Sequence, residues 1–338
     1  MVAYVEKTLE FLRGAFSRKA TYAWFVVAFM GVILRADDYG VTSFVRALGL
    51  EPAHYTLLVH FFHSSAWCVS GLMQRWWLWV VQQNLGWQVN ERLVFTGDHT
   101  KVPKDGRKMP GVATLHQDSE TASKPSFFRG HHWGCIALVT HAANRFFSTP
   151  LWAAIHEGVD ALQASADKQT PKTILTVAMA QQIARHIDRA AYLVLDAYFA
   201  TGTVLEATRD SSNGIERSIH VITRAKKNIV AYLPALPKRR KTPGRKAIYG
   251  EKLKLYDMFE HWAQRFETTT AHVYDHAEPI RYYVMDLLWK PIKGPVRFFW
   301  FETSRGRIVL MTTDSTLQLL RLTIFGPNWL RISEPDCA

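Results

Sequence analysis

The chain has 338 residues, enough for two or three domains, and its 48% apolar and 21% charged residues are those of a globular protein. It carries 41 lysines and arginines against 29 acids, a net charge of +12, which points to a polyanion such as nucleic acid or to an acidic membrane surface. Cys68, Cys135 and Cys337 form no Cys-x-x-Cys pair and no even framework, which argues against a disulfide scaffold or a structural zinc and for a reducing cytoplasm.

Residues 1–90 read as a helical domain. Glu6, Lys7, Glu10 and Arg13 interrupt any signal-peptide core. Residues 22–34 are uncharged, but a membrane span needs about 20 apolar residues, and Arg35, Asp37 and Asp38 follow at once, so no membrane partner is expected. Val69, Leu72, Met73, Trp76 and Val80 recur at three- and four-residue steps, the stripe of a packed helix. The run Trp76-Trp77-Leu78-Trp79 is apolar on every side and is better explained by core packing than by DNA contact.

Over residues 91–200 the period changes. Leu93-Val94-Phe95 reads as a buried strand ending at Gly97-Asp98, and residues 131–140 and 144–155 as two further strands or a hairpin. Thr170-Pro171 suits a helix start, and Ile174, Val177, Ala180, Ala184 and Ile187 line one side of the helix that follows. Tyr192-Leu193-Val194-Leu195 is a second buried strand, ending at Asp196. Residues 201–313 hold short β-rich runs (219–223, 229–233, 296–301, 308–311) between Gly, Pro and basic loops, a mostly β insertion. Within it, residues 217–254 carry 12 Lys and Arg against the single acid Glu251, so the rest of the chain is close to neutral. Arg224, Lys226, Lys238, Arg239, Arg240, Lys241, Arg245 and Lys246 of this stretch are expected to bind a DNA backbone rather than only to solvate a loop.

Two strands that each end in an aspartate are the central feature. If they are neighbours, Asp98 and Asp196 converge and repel unless a cation lies between them. Hard Mg²⁺ or Mn²⁺ suits such oxygens. Aspartates also follow strands because they cap helices and favour turns, and the two positions alone leave both readings open. The segment after Asp98 is basic and rich in turn residues, placing Lys101, Lys104, Arg107 and Lys108 where a phosphate backbone would pass. His116, His131 and His132 fit no zinc spacing and read as packing or phosphate contacts. Asp118 and Glu120 read equally as groups near the site or as a solvated turn. Trp289 and Trp300 read as core, with a flipped base as the lesser alternative.

The stretch GDHTKVPKDGRKMPGVATLHQDSETASKPSFFRGHHWG (residues 97–134) strongly resembles the first catalytic block of insertion-sequence transposases of the DDE endonuclease superfamily, and LVLDAYFA (193–200) resembles their second. VITRAKKNIVAY (221–232), GRKAIYGEKLKL (244–255), DLLWKP (286–291), VLMTTD (309–314) and GVTSFVRALGL (40–50) are similar in consistent order. The resemblance implies an α/β fold: a helical N-terminal domain (1–90), then a ribonuclease H-like mixed sheet (91–200) interrupted by a β-rich basic insertion (201–313). It also implies Mg²⁺-dependent (or Mn²⁺-dependent) cleavage and strand transfer on double-stranded DNA, transposon ends and target, by a homodimer in the bacterial cytoplasm, with Asp98 and Asp196 as catalytic metal ligands. The family's third acid, in the pattern Tyr-x-x-Arg-x-x-x-Glu, has no counterpart: residues 314–338 contain no tyrosine, and Glu334 beside Pro335 is a poor stand-in. A truncation or frameshift after Asp314 is the expectation here, with a remnant that only binds DNA as the alternative function.

Overall fold

The computed structural model describes residues 2–37, 40–104, 106, 109–117, 125–143, 145–156, 172–208, 219–236, 246–273, 276–292 and 294–318. The chain forms two compact units, residues 1–84 and 85–338.

The first unit is helical: α1 (Val2–Leu12), α2 (Lys19–Leu34), α3 (Val41–Ala47), α4 (His54–Phe62) and α5 (Val69–Gln82). Its core gathers Ala28 of α2, Phe44 of α3, and Leu58 and Phe61 of α4, with Trp67 stacked on Phe61 at 5.1 Å. Gly31 allows the approach of α2 and α3, since an added Cβ there would lie 2.7 Å from Phe44 Cβ. On α5, Trp77 and Val80 are buried and Leu72, Met73 and Trp76 half-buried. Val69, expected on the packed stripe, is 61% exposed, because as the first residue of the helix it stands beyond the face that Trp77 and Val80 bury. Among the described residues no helix is long and apolar enough to cross a membrane.

The second unit contains β1 (Gln88–Val89), β2 (Arg92–Pro103), β3 (Ala113–His116), β4 (Phe127–Ala142), β5 (Arg145–Ile155), α6 (Lys172–His186), β6 (Ala191–Leu195), α7 (Gly202–Ala207) and β7 (Ile219–Arg224). There follow β8 (Val230–Pro234), β9 (Tyr249–Lys254), α8 (Met258–His261), β10 (Glu267–Val273), β11 (His276–Leu288), β12 (Pro295–Thr303) and β13 (Gly306–Thr312). All the strands join one sheet, ordered β3-β4-β2-β6-β7-β13-β12-β11-β8-β9, with β5 on β4, β10 on β11 and β1 on β2. The five strands β5-β4-β2-β6-β7, antiparallel from β5 to β2 and parallel from β2 to β7, have the order of a ribonuclease H-like core. The α/β class expected from the sequence is the class observed.

The insertion begins later than residue 201. β7, read as the insertion's first strand, pairs in parallel with β6 over Ala191↔Ile219 to Leu195↔Thr223 and belongs to the core. Its periodicity could not show this, because an apolar run reports burial and not the identity of its neighbour. The insertion strands β8–β13 then extend the same sheet through the antiparallel β13–β7 pairing.

Helix α6 covers one face of the core, burying Thr176, Val177, Ala180, Ile183 and Ala184 and half-burying Ile174. It lies close to β2 because Gly97 offers no side chain: a Cβ there would meet Leu195 at 2.8 Å and Thr176 at 3.2 Å. The opposite face is built from Val94, Tyr192, Val194, Ile222, Phe299, Phe301 and Leu317. In the insertion, Trp300 is fully buried and donates its indole N–H to the Leu255 carbonyl at 2.7 Å, and Trp289 is also buried. Both tryptophans are core, so neither offers a face to a flipped base.

Gly134 on β4 is required by its neighbour. A Cβ there would fall 1.9 Å from His156 Cε1, whose ring lies on the bare backbone. Gly134→Ala should cost about 1–3 kcal/mol by overpacking, read as a lowered denaturation midpoint. Adding His156→Ala should recover most of that loss, and a purely additive double variant would contradict the contact.

Candidate active site

β2 and β6 pair in parallel from Leu93↔Ala191 to Thr96↔Val194. β6 then ends at Leu195, whereas β2 stays paired with β4 from Phe95↔Leu138 to Pro103↔Gly130. Asp98 is therefore within a strand rather than at its end, and Lys101 lies on the same strand rather than in a turn-rich loop. The antiparallel partner sustains β2 after the parallel one has departed. Continued by two residues, the parallel register sets Asp98 beside Asp196, and both line one cavity of about 950 Å³. Since Gly97 and Leu195 meet on the α6 side, pleat alternation turns Asp98 to the opposite face.

The electrostatics agree with this proximity. Burial raises the pKa of Asp98 above the ordinary 3.8, opposed by a hydrogen bond from its neighbour's N–H, His99 N to Asp98 Oδ1 at 2.7 Å. Asp196 is raised by burial and next by the charge of Asp98. Lowering it are the Tyr198 N–H, which donates to Asp196 Oδ1 at 3.0 Å, the Phe199 N–H and the charge of Lys226. Asp98 opens to solvent and Asp196 is half-buried, so water screens the shift of Asp98 more.

Behind the carboxylates lie three histidines. The His99 ring packs edge-on against His132 at 4.7 Å and His156 at 5.1 Å, and against Phe199 at 4.8 Å. His99 Nε2 hydrogen-bonds Thr176 Oγ1 at 2.6 Å, and His156 Nε2 contacts Met179 Sδ at 3.3 Å. Burial first, then the charges of His132, His156, Lys172 and Lys101, push the His99 pKa down to about 3. Burial and the Lys172 charge push that of His156 down to about 4. His99 and His156 are therefore neutral near pH 7. Among the described residues no group of three or more His, Cys, Asp or Glu is placed to hold a metal.

Of the basic residues singled out by sequence, Lys101 lines the cavity and donates to the His116 carbonyl at 2.7 Å. Lys104 is exposed just past β2, Lys226 is exposed near Asp196, Arg224 ends β7 and Lys246 is exposed before β9. Arg107, Lys108, Lys238, Arg239, Arg240, Lys241, Arg245, Asp118, Glu120, the Thr170-Pro171 helix start and Glu334 lie outside the described residues. His116 and His132 line the cavity, and His131 Nε2 is 2.9 Å from the Pro110 carbonyl. Sequence reasoning missed Lys172, at the start of α6, and Tyr198, which is 54% exposed; both line the cavity. Lys172 carries no local signal, since only the packing of α6 on β2 brings it there. Tyr198 follows Asp196 by two residues and could have been found by asking what the turn after a strand that ends in a candidate aspartate presents.

Two carboxylates with hard oxygens, each raised by desolvation and facing one cavity, fit a divalent cation, and each has one oxygen already fixed by a backbone N–H. The pair stands on adjacent parallel strands of the ribonuclease H-like sheet. The chain belongs to the DDE superfamily endonucleases, whose family model matches residues 12–281. No curated protein matches the chain. The solved NurA nuclease from Sulfolobus solfataricus aligns at a TM-score of 0.29 and 8% identity, over 82% of this chain and 85% of that one.

The raised pKa values have a thermodynamic consequence. A carboxylate raised in the native state favours the metal-free fold below its unfolded value near 3.8, and that advantage is lost as pH rises through the native value. Asp196→Asn, which keeps the acceptor for Tyr198 N, should therefore raise the thermal midpoint of the metal-free protein at pH 7 by roughly 1–4 °C. Added Mn²⁺ should raise the midpoint of the wild type more than that of the variant. A variant that melts lower without metal would contradict the repulsion.

Proposed function

We propose that the chain is a transposase, a DNA endonuclease that cleaves at the ends of a mobile element and transfers the strand to a target duplex. The observation that carries this reading is the pairing of Asp98 with Asp196 across two neighbouring parallel strands in a cavity that Lys101 and Lys172 also line. Bound Mg²⁺ or Mn²⁺ would activate the attacking water or 3′-hydroxyl and stabilise the leaving oxygen. Asp98 and Asp196 would hold that cation with the oxygens that the backbone N–H groups leave available. Lys226, whose charge reaches Asp196, would hold a phosphate of the strand beside the pair, as a point charge rather than a bidentate clamp. His99 and His156, both neutral, add no charge to compete for the phosphate, and their packing excludes water from one wall of the cavity. A second copy of the chain on the DNA would serve the second end.

A second reading, DNA binding without cleavage, is favoured by one observation: among the described residues no third acid stands beside Asp98 and Asp196. Without that donor the leaving oxygen loses stabilising charge.

Nicking of supercoiled plasmid with Mg²⁺ or Mn²⁺ separates the two. The transposase reading expects metal-dependent nicking that falls by roughly a hundredfold or more in Asp98→Ala and in Asp196→Ala. Salt-sensitive binding without nicking would establish the second reading, and a chain that neither binds nor nicks would overturn both.

A further inference from the structure

The parallel pairing of β6 with β7 ends at Leu195↔Thr223, one residue before Asp196. There a side chain takes over from the ladder: the Thr223 hydroxyl donates to the Asp196 carbonyl oxygen at 2.6 Å. The same carbonyl accepts the Phe199 N–H at 3.2 Å, and the Asp196 carboxylate accepts the Tyr198 N–H at 3.0 Å. Those two donors belong to the short turn that follows Asp196. They hold Asp196 to what comes after it in the chain, whereas Thr223 holds it to the neighbouring strand.

Thr223 is itself firmly held. It lies on β7 between two partners, opposite Leu195 of β6 and Met311 of β13, and is 1% exposed. A β-branched side chain has few χ1 choices on a strand, and at this depth bulk water cannot stand in for a lost hydroxyl. Asp98 has a comparable support on its other side, since β4 goes on pairing with β2 after β6 has ended. Both aspartates thus stand beyond the β2–β6 register, and each is steadied by the strand outside it. For Asp98 the support is the backbone of β4; for Asp196 it is the hydroxyl of Thr223.

We infer that Thr223 is a positioning residue for the carboxylate pair: through its hydrogen bond to the Asp196 carbonyl it fixes where the Asp196 carboxylate stands relative to Asp98, and so how tightly the two hold a divalent cation. The inference rests on Asp196 being a ligand of that cation. A hard cation bridged by two carboxylates is sensitive to small displacements, because its oxygens must come within about 2.1 Å. Groups that orient a metal ligand without touching the metal change its affinity by about 10- to 100-fold when removed. Thr223 acts through the backbone of Asp196, so removing its hydroxyl leaves the charge of the site unaltered.

The test measures Mn²⁺ binding to the full chain without DNA, by electron paramagnetic resonance of the free ion. Thr223→Val keeps the shape, removes the hydroxyl and should weaken Mn²⁺ roughly tenfold; Thr223→Ala is a second variant without the donor. Thr223→Ser keeps the donor and should restore binding to near the wild-type value. The Mn²⁺ concentration that half-saturates nicking should rise in Thr223→Val by the same factor as the dissociation constant, while duplex affinity without metal stays put. Thr140→Val is the control. Thr140 is a buried threonine of β4, well past Cys135, the partner of Asp98, and its hydroxyl donates to another strand carbonyl, that of Phe147 at 3.3 Å. This variant should bind Mn²⁺ as the wild type does. Wild-type affinity in both Thr223→Val and Thr223→Ala, or an equal loss in Thr140→Val, would overturn the role of Thr223 and leave the carboxylate pair as the metal site. A wild type that binds no Mn²⁺, or whose binding Asp196→Asn does not weaken, would overturn that pair and the role of Thr223 with it.

Discussion

The two-sided pairing of β2 is the constraint on which the rest of the structure depends. On one side β6 runs parallel to it and stops at Leu195; on the other β4 runs antiparallel and continues to Pro103. The first pairing sets the register that makes Asp98 and Asp196 neighbours. The second keeps Asp98 on rigid backbone after the first has ended, and a strand holds a ligand more closely than a loop does. Because side chains alternate with period two, a slip of one residue would turn Asp98 toward α6 and disperse the pair. Gly97 guards against this, since a side chain there would collide with Leu195 and Thr176.

The site is held at an electrostatic disadvantage. The pKa of Asp196, half-buried, is raised by its own burial and by the charge of Asp98 across the parallel register, and the groups behind the pair give little relief. His99 and His156 are too buried to carry charge near pH 7. Backbone N–H groups from His99 and Tyr198 offset part of the cost. What remains unbalanced is the kind of deficit a divalent cation would remove, and ion binding there would be linked to fold stability.

The insertion does not form a separate layer. β13 docks on β7, and the remaining strands continue the sheet to β9. Its own packing is aromatic, around the buried Trp300, with Arg297 and Asp286 joined by two hydrogen bonds of 2.7 and 2.8 Å. A continuous sheet carries the pairing register of the core into the insertion, from Ile222↔Thr312 to Thr312↔Arg297.

The sequence by itself determined the apolar strands, the stripe of α6 and the two aspartates that follow buried runs. These are local properties, set by hydrophobic period and by what a turn tolerates. The block after Gly97 also carried the family resemblance, and with it the ribonuclease H-like class. Only the tertiary structure decided which strands are neighbours. It moved β7 from the insertion into the core, placed Asp98 within β2, and brought Lys172 and Tyr198 into the cavity. It also set His99 and His156 against Thr176 and Met179 of α6, where burial keeps both neutral. The physical reason is the same in each case: periodicity records how much of a residue is buried, whereas pairing partners and convergent side chains arise from contacts between segments far apart in the chain.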